Sequence, residues 1–238
     1  MPEDYFALQL SFAARHAEVA GMPFDAAVAH CTNLRRRFHL QGAEGAGRWD
    51  RFLVALRACA DDHPAALALC MDLFQHRPEP AEDQARAFGC FSFDPPDGSG
   101  TLRIHFMPPP GTCASPLASA QTAARMDELR ALFLQVRRLG SAVTSVLGVS
   151  WLYNLEAYRR LFPPAYGASV RPPWFALHLN GSSTWGQVLD WRQAVKPQVR
   201  DAVLANLPAM TADAPWTIFP HQPLVARCAI GHFHDAFA

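Results

Sequence analysis

The feature that most restricts how this chain folds is a single change in the spacing of its apolar residues, near residue 87. Before it, apolar residues recur at helical intervals, as in Phe6, Leu10, Ala13 and Ala17. After it they alternate with polar ones: Phe91 and Phe93 with Cys90 and Ser92, then Leu102, Ile104 and Phe106 with Arg103 and His105. A period near 3.6 buries one face of a helix, and a period of two buries one face of a strand. Residues 1–80 therefore read as a helical region, and 87–238 as a mixed domain packed with it as one globular unit.

Within the first region the spacing predicts four helices. One covers roughly 4–20, and one begins with Asp25 as N-cap and carries Val28, Cys31 and Phe38. A third follows a glycine-containing loop at 42–47, and the fourth starts near Pro64. The second region opens with a β-hairpin whose long loop is the turn-rich Asp94–Gly100. Ser115-Pro116 has the chemistry of a helix start, with a helix expected to about Leu139. Residues 142–152 are valine-rich without alternation, as in a central strand covered on both faces. A strand at 174–179, helices at Thr184 and Pro197, and a last strand near 224–230 complete the order. A strand, a 20-residue helix and a strand normally make a parallel crossover. The expected fold is thus α+β (mixed α/β): N-terminal helices, then a mixed, partly parallel sheet of about five strands flanked by helices.

Composition removes several function classes. Half of the 238 residues are hydrophobic and the formal charges cancel, so the chain is not of the disordered type. It has no basic stripe of the kind nucleic-acid binders carry. No apolar run reaches the ~18 residues of a membrane span. The six cysteines form no Cys-x-x-Cys and mostly sit in apolar runs, as reduced buried thiols do. With an acidic rather than basic start, Met-Pro-Glu-Asp-Tyr, this predicts a reducing cytoplasm, and the arginine- and alanine-rich composition a bacterial one.

The catalytic signatures of common enzyme classes are missing: no Walker loop, no Gly-x-Gly-x-x-Gly, no Gly-x-Ser-x-Gly and no His-Glu-x-x-His. No cofactor is named by the sequence. His232-Phe233-His234-Asp235 lacks the further ligands a zinc site needs and reads as a solvated tail, so no metal site is expected. His16, His30, His39, His63 and His76 read as ordinary surface or half-buried histidines. Arg35-Arg36-Arg37, at a helix C-terminus, complements the helix dipole and also suits a phosphate or acidic partner.

Three strands end in polar clusters: His105, then Tyr153-Asn154, then His178 followed by Asn180-Gly181-Ser182-Ser183-Thr184-Trp185. If the strands are parallel, these ends share the sheet edge at which open α/β sheets bind ligands. His105 and His178 would be acid–base groups, with Tyr153 and Ser183 as further catalytic candidates; Asn154, Asn180, Ser182 and Trp185 would contact a ligand. The plainer reading makes Asn154 and Thr184 helix caps, and Tyr153 and Trp185 core.

Strand 101–106, helix 116–139, strand 142–152 and Asn154-Leu155-Glu156-Ala157 are similar to the coenzyme A-binding part of the GNAT acyltransferases. That resemblance would put Asn154 near the cofactor arm and make Tyr158 or Tyr166 an acid. The family's pyrophosphate loop is absent, with Gly111-Thr112-Cys113-Ala114 at its place. The expected function is binding of, or action on, a small molecule, anions included, at the strand ends near 105, 153 and 178–185. The alternatives are a GNAT-like acyltransferase and a protein-interaction module using the N-terminal helices. A small-molecule ligand is expected, without nucleic acid or membrane; a protein partner or homo-oligomer stays open.

Overall fold

A computed structural model describes residues 2–79, 87–109, 111–173 and 179–237. The chain divides into two compact units: Met1–Ala81 with Ala176–Gln222, and Glu82–Phe175 with Pro223–Ala238. The expected domain over 87–238 is thus interrupted. Trp185, Val188, Ile218 and Phe219 join the core of the N-terminal helices, and that apolar burial assigns their segment to the first unit.

The first unit is built on α1 (Pro2–Ala20), α2 (Phe24–Cys31), α3 (Leu34–Arg37), α4 (Gly42–Ala58) and α5 (His63–Gln75). The helix expected from Asp25 to Phe38 is broken into α2 and α3. Thr32 is extended, its hydroxyl bonds the Val28 carbonyl at 2.7 Å, and the Gln9 side chain accepts from the Asn33 N–H at 2.8 Å. These side chains give the backbone partners that the helix would otherwise supply. Asp25 lies one residue inside α2 and is ion-paired with Arg57 at 2.7 Å instead of capping. The glycine run from Gly42 is the first turn of α4, not a loop; at Gly45 a Cβ would overlap the Leu40 backbone, so only glycine allows this approach. Asp62 caps α5, accepting from Ala65 N at 2.9 Å. His16 is buried, contrary to its reading as a surface or half-buried side chain. Its ring stacks on His30 with centroids 5.8 Å apart.

The second unit carries a five-stranded sheet in the order β1-β2-β3-β4-β5: Ala87–Phe88, Phe91–Phe93, Thr101–Phe106, Ser145–Ser150 and Leu224–Ala229. β3 and β4 are parallel and the remaining pairs antiparallel, so the fold is α+β with a mixed sheet. The parallel pair follows from the intervening helix, α6 (Thr122–Arg137), which returns the chain to the same end of the sheet. α6 starts later than Ser115-Pro116: the intervening stretch makes turns and a short 3-10 segment at Ser119–Gln121.

Leu129, Leu132, Phe133 and Val136 form the buried stripe of α6. They share a core with Phe91, Leu102, Ile104, Val146 and Ala226 from the sheet. α7 (Glu156–Arg159) and α8 (Pro164–Ala168) follow β4. Gly181 precedes α9 (Ser182–Trp185), so Thr184 and Gln187 make no capping box. Instead the Gln187 amide donates to the carbonyls of Thr184 and His221 inside the first unit. α10 (Pro197–Asn206) belongs there too. The tail is α11 (Ile230–Ala236), and it is docked: Phe233 stacks on Phe133 at 4.5 Å, and Arg137 donates to the His234 carbonyl at 2.6 Å. No described helix is long and apolar enough to cross a membrane.

Candidate functional site

Because β3 and β4 are parallel, their C-terminal ends lie at one edge, as the strand-end expectation requires. The side chains there do not form one cleft. His105 is half exposed, on the sheet face away from α6, and its Nε2 lies 2.9 Å from the Asp94 carboxylate. Tyr153 is buried on the core side, with its hydroxyl 2.6 Å from that of Tyr166. Asn154 ends a 3-10 turn and donates to the Trp151 carbonyl at 2.7 Å, while Leu155 occupies the N-cap position of α7.

His178, and with it the body of the 174–179 strand, lies outside the described residues. Asn180, Ser182, Ser183 and Trp185 belong to the first unit. Trp185 is buried there with its indole N–H on the Cys31 carbonyl at 3.0 Å, so it is core and makes no ligand platform. Asn180 is exposed and Ser182 and Ser183 half-buried.

Tyr153, Tyr158 and Tyr166 pack as one aromatic cluster, with ring centroids 5.2 Å (153–158) and 6.0 Å (153–166) apart. Gly148 of β4 makes room for it, since a Cβ there would collide with the hydroxyls of Tyr153 and Tyr166. Burial raises all three phenols well above the ordinary range; neighbouring phenols add to this. At neutral pH they are protonated and shut off from solvent, which removes the acid role that the acyltransferase resemblance would give Tyr158 or Tyr166.

A second buried cluster also fails as a reactive centre. Arg125 Nη1 lies 2.7 Å from Cys90 Sγ, and its Nη2 is 2.5 Å from Glu128, whose other oxygen accepts from Cys90 N at 3.0 Å. Burial, reinforced by the Glu128 charge, pushes the Cys90 thiol up to about 11 despite the guanidinium. A protonated thiol is a poor nucleophile. The cluster ties α6 to the β1–β2 turn. In the first unit an open groove of about 300 Å³ beside α1 and α10 contains Asp4, Arg200 and Asp201, with its arginine already bonded to Asp201 at 2.9 Å. Among the described residues no group of histidine, cysteine and carboxylate side chains could hold a metal ion.

Donors without partners lie on the open face of the sheet, which is exposed at Arg103, His105 and Arg227, while Thr101, Ser145 and Val225 on it are buried. Register places Arg103, Leu147 and Arg227 side by side on β3, β4 and β5. The adjacent row is Thr101, Ser145 and Ala229. Arg227 is fixed by neutral oxygens: Nη2 donates to Thr101 Oγ1 at 3.1 Å and to Ser145 Oγ at 3.2 Å, and Nε donates to Ser145 Oγ at 3.3 Å. Its Nη1 donors have no hydrogen-bond partner among the described residues. Thr101 is held in turn by Ser99 Oγ at 2.8 Å, and Ser99 donates to Asp97 Oδ1 at 2.6 Å. The Ser99 hydroxyl, with the backbone N–H groups of Thr101 and Ser99, holds the Asp97 carboxyl below its ordinary range, and the Arg227 charge is a smaller contributor. Arg103 is exposed, and no described carboxylate lies within ion-pair distance of it.

His105 was legible as a candidate, and its alternation with Leu102 and Ile104 already places Arg103 on the same face. Arg227 and Asp94 were missed. Arg227 sits 124 residues after Arg103, and only the strand order brings the two into one row. Comparisons with protein-family models, with curated proteins and with solved structures find no match to this chain.

Proposed function

We propose that this protein binds a small anionic molecule, bearing phosphate or carboxylate, on the open face formed by β3, β4 and β5, without a covalent step. The Arg103–Leu147–Arg227 row carries the reading. Two guanidiniums separated by two strand spacings, roughly 9–10 Å between Cα atoms, can close on one anion or hold both ends of a compact dianion. Arg227 is preorganised by hydroxyls rather than neutralised by a contacting carboxylate, so its charge is available. His105, oriented by Asp94, supplies a further polar group on the same face. This keeps the anionic-ligand expectation and moves its site from the sheet edge to the sheet face. The six cysteines are all unpaired, in keeping with a reducing bacterial cytoplasm as the setting.

The test is a thermal-shift titration of the whole protein with inorganic phosphate, a sugar phosphate and a dicarboxylate. A ligand at about 100 times its dissociation constant adds about 2.7 kcal/mol, and each kcal/mol moves the midpoint by about 2–4 °C at this size. At least one probe should shift the wild type, and Arg103→Ala and Arg227→Ala should each remove that shift. A shift that survives both substitutions would overturn the assignment, as would silence from every probe.

A further inference from the structure

We propose that α3 and the 190–196 loop of the first unit form a docking surface for an acidic, carboxylate-rich segment of a partner protein. The two pieces are far apart in sequence but joined in space: Arg37 Nη2 donates to Gln193 Oε1 at 2.9 Å. That bond joins α3, which carries Arg36 and Arg37, to the loop that carries Trp191 and Arg192. Each cation is presented differently. Arg37 is steadied over the Tyr5 ring, 5.1 Å from its centroid, and Arg192 lies 4.3 Å from the Trp191 ring. The Arg36 side chain is exposed with no hydrogen-bond or ion-pair partner among the described residues.

The loop's own acid does not neutralise them. Asp190 Oδ1 accepts from the backbone N–H of Arg192 at 2.8 Å and of Ala194 at 2.9 Å, and its charge acts on Lys196. Among the described residues no carboxylate lies within ion-pair distance of Arg36, Arg37 or Arg192. Acidic and basic residues balance at 21 each over the chain, whereas α3 and the loop bonded to it carry three guanidiniums that no described carboxylate pairs with.

Carboxylates fit this surface better than a nucleic-acid strand. Guanidinium pairs with carboxylate in a bidentate fork. Single-stranded nucleic acid is held by a basic groove with successive aromatic platforms. Here one half-buried tryptophan is present, and a guanidinium already stacks on it.

Fluorescence anisotropy on the full chain, with a fluorescein-labelled octaglutamate peptide and a labelled oligothymidine of equal charge, tests the proposal. The peptide should bind more tightly than the oligonucleotide, and affinity should fall as salt rises. The double variant Arg36→Glu/Arg192→Glu should weaken peptide binding by about tenfold or more, an effect typical of introducing repulsive charge at an interface. Arg36→Lys/Arg192→Lys should retain most of it, and Arg159→Glu, at an exposed arginine of the second unit, should leave it unchanged, which separates a local effect from a change in net charge. Both positions are exposed, and an unchanged thermal midpoint verifies folding. Peptide binding insensitive to the double reversal, absent in the wild type, or weaker than oligothymidine binding would overturn the proposal.

Discussion

On the core face of the sheet, Leu102, Ile104, Val146 and Ala226 meet α6 and α11 with hardly any exposed atoms. On the opposite face, the residues between them in sequence are Arg103, His105, Leu147 and Arg227, and three of these four are exposed. The strands are shared, so backbone and register are identical on the two faces. What differs is where the polar groups find partners. On the core side each phenol of the tyrosine cluster is bonded to another. On the open side the Arg103 guanidinium has no partner among the described residues, and that of Arg227 donates only to hydroxyls. A face that completes its own hydrogen bonds contributes stability; the face with open donors is the one proposed above to take an anion.

The largest expected effect is on the core side. Phe133 stacks between Phe233 at 4.5 Å and Phe237 at 5.4 Å and is almost wholly buried. Phe133→Ala should cost about 3–5 kcal/mol, through lost transfer energy and the cavity left behind, measured by urea unfolding. A loss near zero would mean that α11 does not dock on α6. Next is Gly148→Ala, which sets a Cβ against the hydroxyls of Tyr153 and Tyr166. It should cost about 1–3 kcal/mol through overpacking. Adding Tyr166→Phe, which removes one of the two colliding oxygens, should restore part of the loss. Additive losses in the double variant would show that this contact is not the cause.

The same buried phenols predict a pH response. Their folded values stand above the unfolded value of about 10, chiefly because of burial. The unfolded chain therefore ionises first. Stability is intact below pH 10 and declines as pH rises beyond it, by about 1.4 kcal/mol per pH unit for each phenol involved. Tyr5, the fourth tyrosine, is also raised by burial, to about 12. Ultraviolet absorbance should show no tyrosinate until the chain unfolds. Gradual ionisation near pH 10 with the fold intact would place these rings in contact with water.

Much of this contrast could be read from the chain, and the part that could not has a physical reason. Alternation in 101–106 sorts Leu102 and Ile104 from Arg103 and His105 because successive side chains of a strand point to opposite faces. The parallel β3–β4 pair follows from the helix between them. Tyr153 and Trp185 look alike as residues beside polar clusters, and their burial depends on tertiary packing: Gly148 makes room for one, and the Cys31 carbonyl takes the indole N–H of the other. Local signals misplaced several helix starts. Ser115-Pro116 has the right cap chemistry, yet the helix begins at Thr122; a cap makes a start favourable without requiring it. Asp25 likewise is taken by Arg57 across the helical unit, a partner 32 residues away that no local pattern encodes.

The smallest stability effect should accompany the largest functional one. Arg103 is exposed and its guanidinium has no partner among the described residues, so Arg103→Ala should change unfolding free energy by no more than about 0.5 kcal/mol. Arg227→Ala releases two hydroxyls, Thr101 and Ser145, that remain bonded to each other at 3.2 Å, and should cost only about 0.5–1.5 kcal/mol. Both should abolish the response to whichever anionic probe stabilises the wild type, whereas Phe133→Ala, if it folds, should keep that response while starting from a lower midpoint. Opposite behaviour would break the comparison: an Arg103→Ala protein that is strongly destabilised would make the open face part of the fold's own support, leaving no free arginine there to hold a ligand.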